Sequence, residues 1–176
     1  IQFGSAQFDI YNSEESEDWK SQKKLYGFDK NSKTILYAGS SKYSDEFLHV
    51  KIIDDAIIKG DLPKINIIYR PHPWGGCGYK GYRFKEYKFK NVKFDLNMRE
   101  YIFRDFDKVK TKFLPRLEFT KDLIQSVDFV ISPLSTILLE AMMLGKIPIC
   151  LMTHDELYAK QFQNIKDLPY FKDMLT

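Results

Sequence analysis

Apolar and polar positions fall into blocks whose period changes along the chain. "KTILYAG" (33–39) is a short apolar run after a polar turn and predicts a buried strand. In "SDEFLHVKIIDDAIIKG" the apolar residues Phe47, Val50, Ile53 and Ile57 recur at helical spacing. Ser44 suits an N-cap there, acids occupy the first turn, and Gly60 ends the run, so a helix is predicted. "KINIIYR" (64–70) predicts a second strand, closed by the Pro- and Gly-rich loop "PHPWGG". From Glu118 the blocks read "EFTKDLIQSV" as helix, "DFVIS" as strand, "STILLEAMMLG" as helix, "KIPICLM" as strand and "DELYAKQFQNI" as a closing helix. Between these halves, "GYRFKEYKFKNVKFDL" is rich in aromatics and partly alternating, which predicts extended structure at a sheet edge or in a hairpin.

Strand and helix in this rhythm imply an α/β fold, a Rossmann-like three-layer sandwich with a mostly parallel sheet and helices on both faces. Runs such as "ILYA" and "FVIS" are apolar throughout, as expected where both faces of a strand are covered. No repeat, low-complexity stretch or interdomain linker interrupts the pattern, so residues 1–176 are expected to form a single domain. No apolar run approaches the roughly 20 residues of a membrane-spanning helix. The chain starts at Ile1 without a signal-peptide pattern, and is expected to be a fragment of a longer protein. Cys77 and Cys150 lie far apart without a CxxC partner and are expected to be thiols; with His49, His72 and His154 they show no metal-ligand spacing, so no metal is expected.

Charge changes the picture in one region. The net charge is only +3, yet Lys80–Arg116 holds twelve Lys or Arg against five acids, while "SEESED" near the start is acidic. A basic strip of this kind attracts an anionic substrate, a membrane surface or a nucleic acid, or is simply a solvated face.

In parallel sheets ligands sit outside the carboxyl ends of the strands. That rule selects three loops: Gly39-Ser40-Ser41, Arg70-Pro71-His72-Pro73, and Ser132-Pro133-Leu134-Ser135-Thr136. All carry groups suited to phosphate: a glycine that allows close backbone approach, hydroxyls, a guanidinium fork and an imidazole donor. Ser135 and Thr136 open a helix, whose first N–H groups have no intrahelical partner. The alternatives are structural, with the hydroxyls as helix caps and "RPHP" as a rigid turn. Glu140 lies about one helical turn beyond Ser135 and Thr136 on a nearly apolar helix, which is therefore expected to be buried on most sides. A carboxylate there needs a partner, either a lysine or backbone amides of the protein or the two hydroxyls of a ribose.

"SPLSTILLEAMMLGKIPI" closely resembles the C-terminal pattern of glycosyltransferases of the GT-B fold, in which the second of two Rossmann-like domains binds the nucleotide half of an activated donor. "KTILYAGSS" and "IIYRPHP" resemble the first two strand–loop units of that domain, especially in CDP-glycerol glycerophosphotransferases and related bacterial surface-polysaccharide transferases. "FGSAQFDIY" is similar to the segment by which the chain enters it. The likeness implies one half of a GT-B transferase, with Arg70 and His72 at the donor phosphates, Ser135 and Thr136 at the pyrophosphate, and Glu140 at the ribose. It implies no cofactor beyond the nucleotide-activated donor as substrate, either a nucleotide-sugar or a CDP-glycerol-like molecule. The implied partners are an N-terminal acceptor domain of the parent chain and a membrane-associated acceptor. The expected setting is cytoplasmic, with peripheral association with the inner face of the membrane as an option within it. Alone, the domain is expected to be inactive, since these enzymes work in the cleft between two domains; no catalytic residue is assigned. "SPLST" departs from the Asp-Tyr-Ser-Ser type of turn usual in the glycerophosphotransferases. Two other readings stand beside this one. A nucleotide-sugar 2-epimerase shares the fold and much of the donor chemistry. A non-catalytic nucleic-acid binder would use the basic aromatic segment 79–113 to track a backbone and stack bases, although no recognisable RNA-binding motif accompanies it and nucleic acid is not expected as a partner.

Overall fold

A computed structural model describes residues 6–12, 24–29, 31–40, 44–73, 77–78, 81–103 and 115–152. The predicted helix over 155–165 and Ser41 lie outside them. Among these described residues five strands form one parallel sheet: β1 (Lys33–Ala38), β2 (Ile65–Arg70), β3 (Val92–Phe94), β4 (Phe129–Ser132) and β5 (Ile147–Cys150), in the order β3-β2-β1-β4-β5. The α-helices are α1 (Glu46–Lys59), α2 (Arg83–Glu86), α3 (Arg99–Phe103), α4 (Leu117–Gln125) and α5 (Ile137–Met143), preceded by a 3-10 helix at Ala6–Asn12.

The continuous apolar runs have a physical reason in the two cores. Ile35 and Tyr37 of β1, Ile67 and Tyr69 of β2, and Ile131 of β4 pack with Phe47, Val50 and Ile57 of α1, Phe84 of α2 and Ile102 of α3. The alternate residues Leu36, Ala38, Ile68 and Val130 pack on the opposite face with Leu123 and Ile124 of α4 and Leu138 and Ala141 of α5. Successive side chains of a strand point to opposite faces, so both must be apolar when both faces are covered.

Helix α1 is capped by Asp45, whose carboxylate accepts from the Leu48 N–H at 3.1 Å, and not by Ser44 as predicted. Ser44 is fully buried, and its hydroxyl turns 3.4 Å toward the Glu46 carboxylate. Gly60 ends the helix at φ 85°, a left-handed conformation in which its N–H reaches the carbonyls of Ala56 and Ile57.

The aromatic segment does supply a sheet edge, but its strand is three residues long and parallel, not half of a hairpin, and two short helices flank it. The aromatics cluster for packing instead of alternating. Phe84 stacks on Tyr69 with ring centroids 4.1 Å apart, while Phe84, Tyr87 and Phe89 meet Phe47 edge-on. Buried Asp54 of α1 fastens this segment, accepting from the N–H groups of Lys90 (3.1 Å) and Asn91 (2.8 Å) and from Asn91 Nδ2 (3.0 Å). A second departure concerns α5. Only Leu138 and Ala141 are buried, whereas Met142 and Met143 are exposed, because β5 is the outermost strand on that side of the described sheet.

Candidate functional site

The strand order reverses at β1: β2 and β3 continue to one side of it and β4 and β5 to the other, so connections leave the carboxyl ends of β1 and β4 toward opposite faces. A cavity of about 470 Å³ opens there, lined by Ala38 and Gly39, by Arg70 to Pro73, by Pro115, Leu117 and Thr120 around α4, and by Ser135, Thr136, Ile137 and Glu140 of α5 and its approach. The structure thus brings representatives of all three predicted loops to one space. Ser40 and Ser132 stand at the same edge behind it, each with a buried hydroxyl that has no hydrogen-bond partner.

Gly39 closes β1, its N–H donating to the Arg70 carbonyl at 2.8 Å. A Cβ at Gly39 would overlap the Glu46 carboxylate, which is fully buried and accepts from the Tyr69 hydroxyl at 2.6 Å. The glycine therefore makes room for a protein carboxylate, a role the sequence reading missed. Next to it lies a buried polar group also missed: Tyr37, whose hydroxyl is 2.8 Å from His49 Nδ1, and Cys77, whose thiol burial pushes up to about 12. A tyrosine inside a strand and an acid in a helical first turn read as ordinary core and dipole partner, so no local pattern marks them.

Arg70 is the last residue of β2 and is 4% exposed. Its Nη2 donates to Thr120 Oγ1 at 2.7 Å, and its Nη1 lies 3.5 Å from Asp95 Oδ2, an ion pair too long for a hydrogen bond. Burial raises the Asp95 carboxyl pKa, and the Arg70 charge opposes that rise. His72 is half-buried, and burial, followed by the Arg70 charge, lowers its pKa, so the imidazole is neutral at pH 7.

The hydroxyls at the start of α5 are not caps. Thr136 occupies the cap position in helical geometry with no side-chain hydrogen bond to the helix, and Leu138 N–H is met by the Ser135 backbone carbonyl. Among the described residues no cation lies within 4 Å of the Glu140 carboxylate. Burial raises its pKa, against the opposing influence of the Tyr11 hydroxyl and the Arg70 charge. Tyr11, from the 3-10 helix, sits close enough to the carboxylate to influence it, and its buried hydroxyl makes no hydrogen bond within ordinary limits. Tyr11, Asp95 and Thr120 are the site neighbours that sequence reading did not select. Among the described residues no group of His, Cys, Asp and Glu is placed to hold a metal ion, and no helix is long and apolar enough to cross a membrane.

Sheet order, two covered faces and a cavity at the reversal point define an α/β domain of the Rossmann-like kind. No family model matches the chain, and no curated protein matches it. Among solved structures it is similar to the beta Kdo 2,4 transferase KpsC of Thermosulfurimonas dismutans, at 16% identity and a TM-score of 0.39, over 84% of this chain. The chain spans about half of that protein, 50% of its length. A likeness this loose carries neither fold nor function, which rest on the sheet and on the cavity.

Proposed function

We propose that this chain is the donor-binding half of a GT-B transferase that uses a nucleotide-activated donor, a glycosyl or glycerophosphoryl compound of surface-polysaccharide synthesis. The observation that carries the reading is that the polar side chains at the α5 end of the cavity are uncommitted. Ser135 and Thr136 make no side-chain hydrogen bonds among the described residues, and the Glu140 carboxylate, which feels the Arg70 charge and the Tyr11 hydroxyl, has no described cation within 4 Å. Buried polar groups are otherwise satisfied as a rule, so a carboxylate left open in a cleft is held for a ligand. A volume of about 470 Å³ falls in the range of small-molecule sites. In this reading Arg70 and His72 meet the donor phosphates, with Gly39, Ser40 and Ser132 at the strand ends beside them. Ser135 and Thr136 donate to the pyrophosphate, and Glu140 accepts from the ribose hydroxyls. The chain's share of the reaction is to bind and orient the donor; transfer needs an acceptor positioned with it. The chain alone is expected to bind nucleotide and to turn over no donor.

Titration with CDP, UDP and GDP tests this, and failure of all three to bind overturns it. Glu140→Gln should weaken binding of the preferred nucleotide, because a hydrogen bond to a charged group contributes roughly 1.5–3 kcal/mol and the neutral amide keeps only part of that. Wild type and Glu140→Gln should bind the dideoxyribo-ligand alike. A variant that keeps the wild-type preference for the ribo-ligand ends the ribose assignment.

A further inference from the structure

The guanidinium of Arg70 is held by groups from two other elements, and the way they hold it is asymmetric. Thr120 of α4 takes one donor outright, with Nη2 at 2.7 Å from its hydroxyl oxygen. Asp95, just past β3, supplies the opposite charge from 3.5 Å and takes no hydrogen bond from Nη1. Asp95 is itself fixed: its Oδ1 accepts from the Asn97 N–H at 3.0 Å, its own N–H donates to the Tyr69 carbonyl at 2.9 Å, and its carbonyl accepts from Met98. The Arg70 and Asp95 side chains are 5% and 0% exposed. Burying a guanidinium unpaired is expensive, while tying it bidentately to a carboxylate would use the donors that make arginine a good anion fork. Here the charge is compensated, and Nη1 makes no hydrogen bond among the described residues, on an arginine that lines the cavity.

We propose that Asp95 and Thr120 are positioning residues that set Arg70 as a pre-oriented fork for a phosphate-type anion. Thr120 fixes the plane of the guanidinium, and Asp95 balances its charge and keeps it in place without consuming its remaining donors. The ligand class is a phosphate or pyrophosphate group. The assignment to donor phosphates rests on the nucleotide reading above, but the fork itself does not.

The test titrates the full chain with the best-binding nucleoside diphosphate, the matching nucleoside, and inorganic pyrophosphate. Thr120→Val should lose about tenfold in affinity for the diphosphate and for pyrophosphate while keeping that for the nucleoside. Thr120→Ser, which restores the oxygen, should recover it. A merely structural role for Thr120 changes diphosphate and nucleoside binding together or not at all, and either result overturns the proposal. Asp95→Asn should melt earlier without anion, and pyrophosphate should raise its Tm by more than it raises that of wild type, because the anion then supplies the missing countercharge. An equal or smaller rise overturns the role of Asp95. If wild type binds pyrophosphate with the predicted Thr120 dependence but binds no nucleotide, the donor reading falls and the fork stands. If it binds neither, both fall.

Discussion

At Glu140 the burial that raises the carboxyl pKa also sets the sign of a stability effect. Between its unfolded and its folded pKa the native state binds more protons than the unfolded chain, so stability falls as pH rises through that window. Ionising this side chain in the folded state therefore costs stability, and a glutamine carries no such cost. Glu140→Gln is expected to melt no earlier than wild type at pH 7, with the gap closing as the pH is lowered through the raised pKa. Thermal melts at stepped pH check this; a large drop in Tm at neutral pH would mean that Glu140 is a paired structural group. Gly39 offers the opposite kind of residue. Its substitution by alanine drives a methyl into the Glu46 carboxylate, which cannot retreat because Tyr69 and Ser44 hold it. Gly39→Ala is expected to destabilise by about 1–3 kcal/mol, as overpacking does, and denaturant unfolding measures it.

Among the elements, the polar link between α1 and the approach to the third strand is made by Asp54, beside the aromatic packing of Phe47. Asp54→Ala leaves two backbone N–H groups and an amide without their acceptor, and should cost about 2–4 kcal/mol, with hydrogen exchange fastest at Lys90 and Asn91. What the sequence made legible follows the strength of its local signals. Four of the five strands are short apolar runs bounded by turn residues, and each was readable as such. The aromatic segment was not, because strand-forming side chains were gathered there to pack on Phe47 and Tyr69, a contact that sequence spacing does not encode. The exposure of Met142 and Met143 was equally hidden, since it depends on where β5 stands in the sheet. At the cavity, loop residues could be named from the strand-end rule. Thr120, Asp95 and Tyr11 could not, because each reaches the site from an element whose own pattern is spent on folding.

For the whole molecule, the central strand matters most. β1 is paired on one side with β2 and on the other with β4; Asp128, just before β4, accepts from the Thr34 N–H at 2.9 Å across 94 residues of sequence and also meets Lys33 at 2.8 Å. Pairings so distant form slowly, since the intervening chain must close first. A chain ended at Ser126 should consequently be insoluble or bind a hydrophobic dye, while one carried through Met152 is less so; a soluble, cooperatively melting 126-residue product would contradict this. During synthesis the same geometry imposes an order in time. The strand at the middle of the finished sheet leaves the ribosome early and waits, with one backbone edge open and Leu36 and Ala38 without their partner Val130, until β4 has been made. The residues that end the wait, Asp128 to Ser132, are followed at once by the hydroxyls of the cavity, so the polar edge of that cavity is assembled only in the last stage of folding.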